Sequence, residues 1–233
     1  MSYGVGDLAK VAANAMLQLD VVSHNLANLS TPGFKAEHLY PGDKTADNKG
    51  DSGGGVFIMV DHSPGLLQKT DNTLDVAIQG DGFFVIENKA GLAYTRKGNF
   101  SISKNVLVTQ SGDNVLGEAG PIRINGKHVT IESNGTVLVD GTEAGKLQVV
   151  SFDNRQNLLR RGDGLFTDPG TAGNKKEAAP DLINRHLELT NVNAIKEMAD
   201  MIDIQRSFES YQKVMQTIQD LDKLSTGRVG RLA

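Results

Sequence analysis

The chain has 233 residues and a formal net charge of -4, with 39% apolar and 22% charged residues. That mix suits one or two folded domains and excludes a fully disordered chain, and the charge provides no strong positive field for gathering nucleic acid or anionic membrane. Cysteine is absent, which excludes disulfides, thiolate zinc sites, iron–sulfur clusters and a cysteine nucleophile.

Aromatic residues make up 5% and there is no Trp, so the core is expected to rest on Val, Leu, Ile, Ala and Met. No stretch approaches the roughly 18 apolar residues of a membrane span. The N-terminus has no basic region followed by a continuous apolar one, since Asp7, Lys10, Asn14 and Asp20 interrupt it. Any export is therefore expected to proceed without cleavage of a signal.

Near the N-terminus, Leu8, Ala12, Ala15, Leu19, Val22, Leu26 and Leu29 alternate spacings of four and three. This period predicts a helix packed in a coiled-coil manner. Pro32 disfavours helix at Thr31 and Gly33 marks a turn, so the helix is expected to stop near Leu29. Residues 41–55 are polar and Gly-rich and read as a flexible linker or surface loop.

The middle of the chain reads as short strands: Val56–Val60, Leu74–Ile78, Phe83–Glu87, Val106–Thr109, Ile122–Ile124, Val129–Glu132, Thr136–Val139 and Leu147–Phe152. Asn125-Gly126 and Asn134-Gly135 each signal a two-residue hairpin. Residues 168–181 read as a return linker. In the C-terminal part, Met201, Ile204, Phe208, Tyr211, Met215 and Ile218 repeat the alternation of three and four. They predict a helix over about 192–225, roughly 50 Å long, ended by Gly227 and Gly230. Each stripe needs a partner, either the other terminal helix or central domain of the same chain, or helices of other subunits.

Sites of chemistry are sparse. The five His residues are scattered, and Ser23 and His24 point about 100° apart on a helix. Gly80-Asp81-Gly82 precedes the strand Phe83-Phe84-Val85-Ile86 rather than a helix, so it reads as a tight turn and not a nucleotide loop. Arg160-Arg161 and Lys175-Lys176 read as solvated turns. Nothing marks a general acid and base, and no enzyme activity, cofactor or metal is expected.

The stretch Leu19-Asp20 through Asn25-Leu26-Ala27-Asn28 to Thr31-Pro32-Gly33-Phe34-Lys35 resembles the N-terminal signature of the bacterial flagellar rod and hook protein family. Leu74–Phe84 and Tyr94–Phe100 resemble that family's entry into its central β-domain. Leu187–Asn193, Glu197-Met198, Met201-Ile202 and Gln205-Arg206 resemble its C-terminal helix. The length excludes the longer hook protein and the short rod forms without a β-domain. The segments 115–122 and 161–166 resemble the proximal rod form more than the distal one.

The resemblance implies an α+β fold in which long N- and C-terminal α-helices form a coiled-coil-like layer, with an inserted all-β domain lying outside it. The expected bounds are 1–36 for the N-terminal helix and exit turn, 37–70 for a linker, 71–167 for the β-rich domain, 168–185 for the return and 186–233 for the C-terminal helix. It implies export through the flagellar type III apparatus without cleavage, a place in the periplasmic rod, and assembly with itself and neighbouring rod proteins into the drive shaft. Nucleic acid and membrane insertion are not implied. The expected subunit interface comprises the two stripes together with Asn25, Asn28, Thr31, Pro32, Gly33 and Phe34, and Asn191, Val192, Met198 and Gln205. Amide side chains are expected to cap the exit of the first helix, with Phe34 anchored on a neighbouring helix.

Overall fold

The computed structural model describes residues 3–41, 56–173, 175–177 and 181–229. Most of the Gly-rich segment expected as a linker over 41–55 lies outside the described residues, as does Gly230. The chain is α+β, with one helix near each end and strands between them. It divides into two compact units, one holding both helices and the segment 37–59, the other holding 28–36 and 60–191.

In the helical unit, α1 runs Tyr3–Ala27 and α2 runs Ala194–Val229. The helices pack antiparallel, because Val21 and Val22 lie beside Glu197 and Asp200 while Val11 and Ala15 lie beside Ser207 and Tyr211. Asn193 starts α2, its Oδ1 accepting the Lys196 N–H at 3.2 Å, as an N-cap does. The expectation that Gly227 ends this helix is not met, since α2 continues to Val229. A glycine costs a helix interior about 1 kcal/mol, which an otherwise favourable run tolerates, whereas a proline would stop it. None of the described helices is long and apolar enough to cross a membrane. The unit is completed by the paired strands β1 (Glu37–Pro41) and β2 (Val56–Val60).

The β-unit begins with β3 (Leu67–Lys69), β4 (Val76–Ile78), β5 (Phe83–Asn88), β6 (Gly91–Thr95), β7 (Ser101–Ser103), β8 (Val106–Val108), β9 (Asn114–Gly117) and β10 (Gly120–Pro121). It continues with β11 (Val129–Ile131), β12 (Thr136–Val139), β13 (Thr142–Lys146), β14 (Val149–Phe152), β15 (Leu159–Arg161) and β16 (Leu165–Thr167), then β17 (Lys175–Glu177), β18 (Leu182–Asn184) and β19 (His186–Glu188). The segments 37–70 and 168–185, expected as connections, thus carry strands of their own. The largest sheet runs β15-β16-β6-β5-β9-β8-β7, with β10, β14 and β17 attached.

Central strand β5 explains why Phe83-Phe84-Val85-Ile86 is apolar without alternation. Phe84 and Ile86 join one buried cluster while Phe83 and Val85 join another, so both faces of the strand are covered. The core does not rest on aliphatic residues alone. Phe34, Phe83, Phe84, Phe100 and Phe166 are among the largest fully buried side chains, with Phe84 edge-on to Phe100 at 5.0 Å. Few aromatics are present, but most sit where they bury the greatest area.

The two Asn-Gly signals part ways. Asn134-Gly135 closes the antiparallel pair of β11 and β12, with Gly135 at φ +89°. Asn125-Gly126 forms no hairpin. The strand after it pairs with β12, and the segment before it contributes only a bridge from Arg123 to Val106. The next hairpin claims β11 and a bridge back along the chain claims Arg123, and together they outweigh the turn preference there.

Candidate functional site

Two constellations stand out, and each lies within one unit. In the helical unit, Ala12, Ala15, Val22 and Asn25 are buried on α1, while Leu8, Leu19 and Leu26 are half-buried. On α2, Met201, Ile204, Phe208, Tyr211, Met215 and Ile218 are half-buried and the residues between them exposed. The two stripes read from the sequence therefore line the inward faces of the antiparallel helices. Met198 belongs elsewhere. With Ile195 and Ile202 it forms a second apolar strip, each member more than half exposed, and Gln205 is exposed as well. The positions 195, 198 and 202 share a helix face because their spacings are three and four.

Asn25 is fully buried. Its Nδ2 donates to the Glu37 carbonyl at 2.9 Å and its Oδ1 accepts the Glu37 N–H at 2.9 Å. The side chain thus imitates a strand backbone and pins β1 to α1, rather than capping the helix end as expected. His24 Nδ1 meets Glu37 Oε2 at 2.9 Å beside it. A shallow groove of about 310 Å³ runs between α1, β1 and α2, bordered by Glu37, Glu197, Asp200 and Asp203. Glu197, in the first turn of α2, complements its helix dipole.

The second constellation sits in the β-unit, around the segment that follows α1. Thr31 donates through Oγ1 to Asn28 Oδ1 at 3.2 Å, and its N–H meets the Asn28 carbonyl at 3.0 Å. Leu29 and Pro32 are half-buried in this turn. Gly33 has φ +66°, and a Cβ there would meet the Arg96 and Lys97 backbone within 2.7 Å, so only glycine fits. Its N–H donates to the Glu188 carbonyl at 2.7 Å. Phe34 is 1% exposed and lies under the Arg160 guanidinium, 4.3 Å from the ring centroid. Phe34 is thus anchored within its own β-unit, and Arg160 belongs to a strand rather than a solvated turn.

At the centre lies a buried ion triad. Lys35 Nζ donates to Glu188 Oε1 at 2.6 Å and to the Ser63 carbonyl at 2.6 Å. Arg96 Nε donates to Glu188 Oε2 at 2.9 Å, and its other nitrogens reach the carbonyls of Gly82 at 2.7 Å and Gly80 at 2.9 Å. The Gly65 N–H also donates to Glu188, at 2.9 Å. All three charged side chains are at most 5% exposed. Burial opposes the Glu188 charge, but Arg96, Lys35 and the hydrogen bonds outweigh it and hold the carboxyl below its usual range. For Lys35, burial wins over the attraction of Glu188, so its ammonium sits below the ordinary lysine value.

Asn191 closes the arrangement. Its Oδ1 accepts the Ala36 N–H at 2.8 Å, and its Nδ2 donates to the Asp61 carbonyl at 2.9 Å. Val192, the next residue, is half-buried. His62 lies beside the triad, with Nε2 donating to the Arg155 carbonyl at 3.2 Å and its ring against Phe83 and Phe166. Burial, and then the Arg155 and Lys35 charges, lower its pKa to about 4.

Lys35, Arg96 and Glu188 were not singled out by sequence reasoning, although each lies in one of the stretches that carried the family resemblance. Only Glu188 is the sole charge in its stretch; Arg96 adjoins Lys97, and the stretch that ends in Lys35 also holds Asp20. The arrangement offers no reacting group: every charge is neutralised or bonded to backbone. Among the described residues no cluster of three or more His, Asp or Glu side chains is arranged to hold a metal. The site is suited to fixing a geometry.

Comparison with known proteins supplies the class. The model for "Flagella basal body rod protein" matches residues 11–35. The D1 domain of flagellar hook protein FlgE/F/G matches 77–139, and the C-terminal part of flagellar basal body rod FlgEFG proteins matches 183–226. Each matched segment contributes one member of the triad.

The chain is 32% identical over 258 residues to the flagellar basal-body rod protein FlgF of Escherichia coli, covering 100% of this chain and 98% of that protein. It is 30% identical over 227 residues to FlgF of Caulobacter vibrioides, covering 92% and 93%. It is 31% identical over 242 residues to the flagellar basal-body rod protein FlgG of Bacillus subtilis, covering 89% and 92%. The chain belongs to the flagellar basal-body rod protein family.

Proposed function

We propose that this protein is a structural subunit of the flagellar basal-body rod, located in its proximal part, and that it acts by packing rather than by catalysis. The observation that carries the reading is the relation to rod proteins along the whole chain. In this reading the terminal helices assemble with those of neighbouring copies and other rod proteins. Leu8, Leu19, Leu26, Met201, Ile204, Phe208, Tyr211, Met215 and Ile218 use their remaining exposure at the interface, and the open strip Ile195, Met198 and Ile202 is covered only after assembly. Asn28, Leu29, Thr31, Pro32, Gly33, Phe34, Asn191 and Val192 hold the segments from which the helices depart. Contacts of this kind are head-to-tail and extend into a tube without closing on themselves. Such a tube carries torque from motor to hook. Delivery is through the type III export apparatus to the periplasm, with nothing removed from the chain.

A distal position is the second reading, since relatives of two names, FlgF and FlgG, match at similar identity. Quantitative mass spectrometry of purified hook–basal bodies, before and after shearing off the hook and distal rod, separates the two. Retention after shearing at a few copies per particle is expected. Loss on shearing, at a several-fold higher copy number, would assign the distal rod. Absence from the particles would contradict rod membership altogether.

A further inference from the structure

The two Asn-Gly pairs of the β-unit have the same local chemistry and opposite surroundings. We propose that Asn125 is a site of spontaneous deamidation in the folded protein and that the fold protects Asn134. In the reaction, the Gly126 backbone nitrogen loses its proton to solvent and attacks Asn125 Cγ. The N–Cγ bond forms, the Cγ–Nδ2 bond breaks, and the side-chain nitrogen leaves as ammonia. Water then opens the cyclic imide at either carbonyl, leaving aspartate or isoaspartate. One water is consumed and one ammonia released, with no redox step.

At Asn134 both reacting groups are held. The Gly135 N–H donates to the Glu132 carbonyl at 2.9 Å. Asn134 Oδ1 accepts the Thr136 N–H at 2.8 Å, and its Nδ2 reaches Glu132 Oε2 at 3.4 Å. Ring closure there must break the turn that joins β11 to β12. Asn125 is exposed and lies outside any strand, just before a bend at Gly126 and Lys127. Among the described residues, the Gly126 nitrogen has no hydrogen-bond partner.

The remaining contact favours reaction. Asn105 Nδ2 lies 3.5 Å from Asn125 Oδ1, the oxygen on which negative charge develops during attack, and a donor there stabilises that charge. Asn105 is held in place by the fold. It sits at φ +64° in the two-residue turn between β7 and β8, and its own carbonyl accepts the Ile124 N–H at 2.8 Å. Downstream, the Lys127 and His128 N–H groups are fixed to the Asp140 carboxylate at 3.1 and 3.0 Å. A Cβ on Gly126 would strike that carboxylate, so substitution of the glycine is not a clean test.

The experiment is a peptide map by mass spectrometry of the full chain, aged in mildly alkaline buffer, folded and in guanidinium. With two hydrogen bonds restraining Asn134, its folded-state rate is expected to be about tenfold below that of Asn125, and the two rates should converge on unfolding. A folded Asn134 that reacts as fast as Asn125 overturns the proposal, as does a rate ratio that persists in guanidinium. Asn105→Gly keeps the positive φ and removes the amide donor. It should slow Asn125 several-fold and leave Asn134 unchanged, and an unchanged Asn125 rate removes Asn105 from the account.

Discussion

Glu188 is the central residue of the triad, because its carboxylate pairs with both buried cations, Lys35 and Arg96. Replacing it by Gln removes the carboxylate that both cations bond, and breaking a buried pair in this way costs about 3–5 kcal/mol. Asp81 is paired with Arg155 but is 69% exposed, so Asp81→Asn should cost less than about 1 kcal/mol. Chemical denaturation of the two variants checks the contrast, and equal losses would contradict the triad's role. His62 gives a pH signature. The unfolded chain binds its proton near the ordinary value of 6.5, the folded chain only near 4. Stability from the neutral ring is therefore full above pH 6.5 and falls as pH drops toward 4, because the unfolded state takes up the proton first. The loss reaches about 3 kcal/mol. His62→Gln should flatten the pH dependence of the urea midpoint across that window, and an unaltered slope would refute the assignment.

At the scale of elements, α1 and β1 are joined through one side chain. Asn25→Ala removes both hydrogen bonds to Glu37 and leaves two backbone groups to find other partners, a cost of about 2 kcal/mol. Asn28 is half-buried where Asn25 is buried, so Asn28→Ala, which removes its contact with Thr31, should cost less; comparison of the two melting curves decides. Several elements were legible from the sequence because their cause is local. The alternation of three and four placed both helices, and Asn134-Gly135 placed a turn between β11 and β12. The hairpin expected at Asn125-Gly126 failed because β11 pairs forward with β12 through the Asn134-Gly135 turn, while Arg123 bridges back to Val106. The triad was illegible for a related reason. Positions 35, 96 and 188 carry no spacing rule, and only the folded topology brings their charges within 3 Å. The role of Asn25 was misread as capping because its true partner, Glu37, lies beyond the turn that ends the helix.

For the whole molecule, the helices present two kinds of apolar surface. The stripes containing Ala15 and Phe208 already face each other within one chain, so a charge at Phe208 weakens the monomer as well as any assembly and separates nothing. The strip of Ile195, Met198 and Ile202 has no such ambiguity, since its members are 82%, 53% and 51% exposed. An apolar side chain left in water gains about 1.5–3 kcal/mol when fully buried, and repeated along a polymer this becomes a large term. The most direct measurement is therefore the basal-body content of cells that produce only the Ile202→Asp protein, read beside the melting temperature of the purified chain. The account predicts an unchanged melting temperature and loss of the subunit from basal bodies. Normal incorporation of that protein would contradict the claim that the helices of this chain form the interface between subunits.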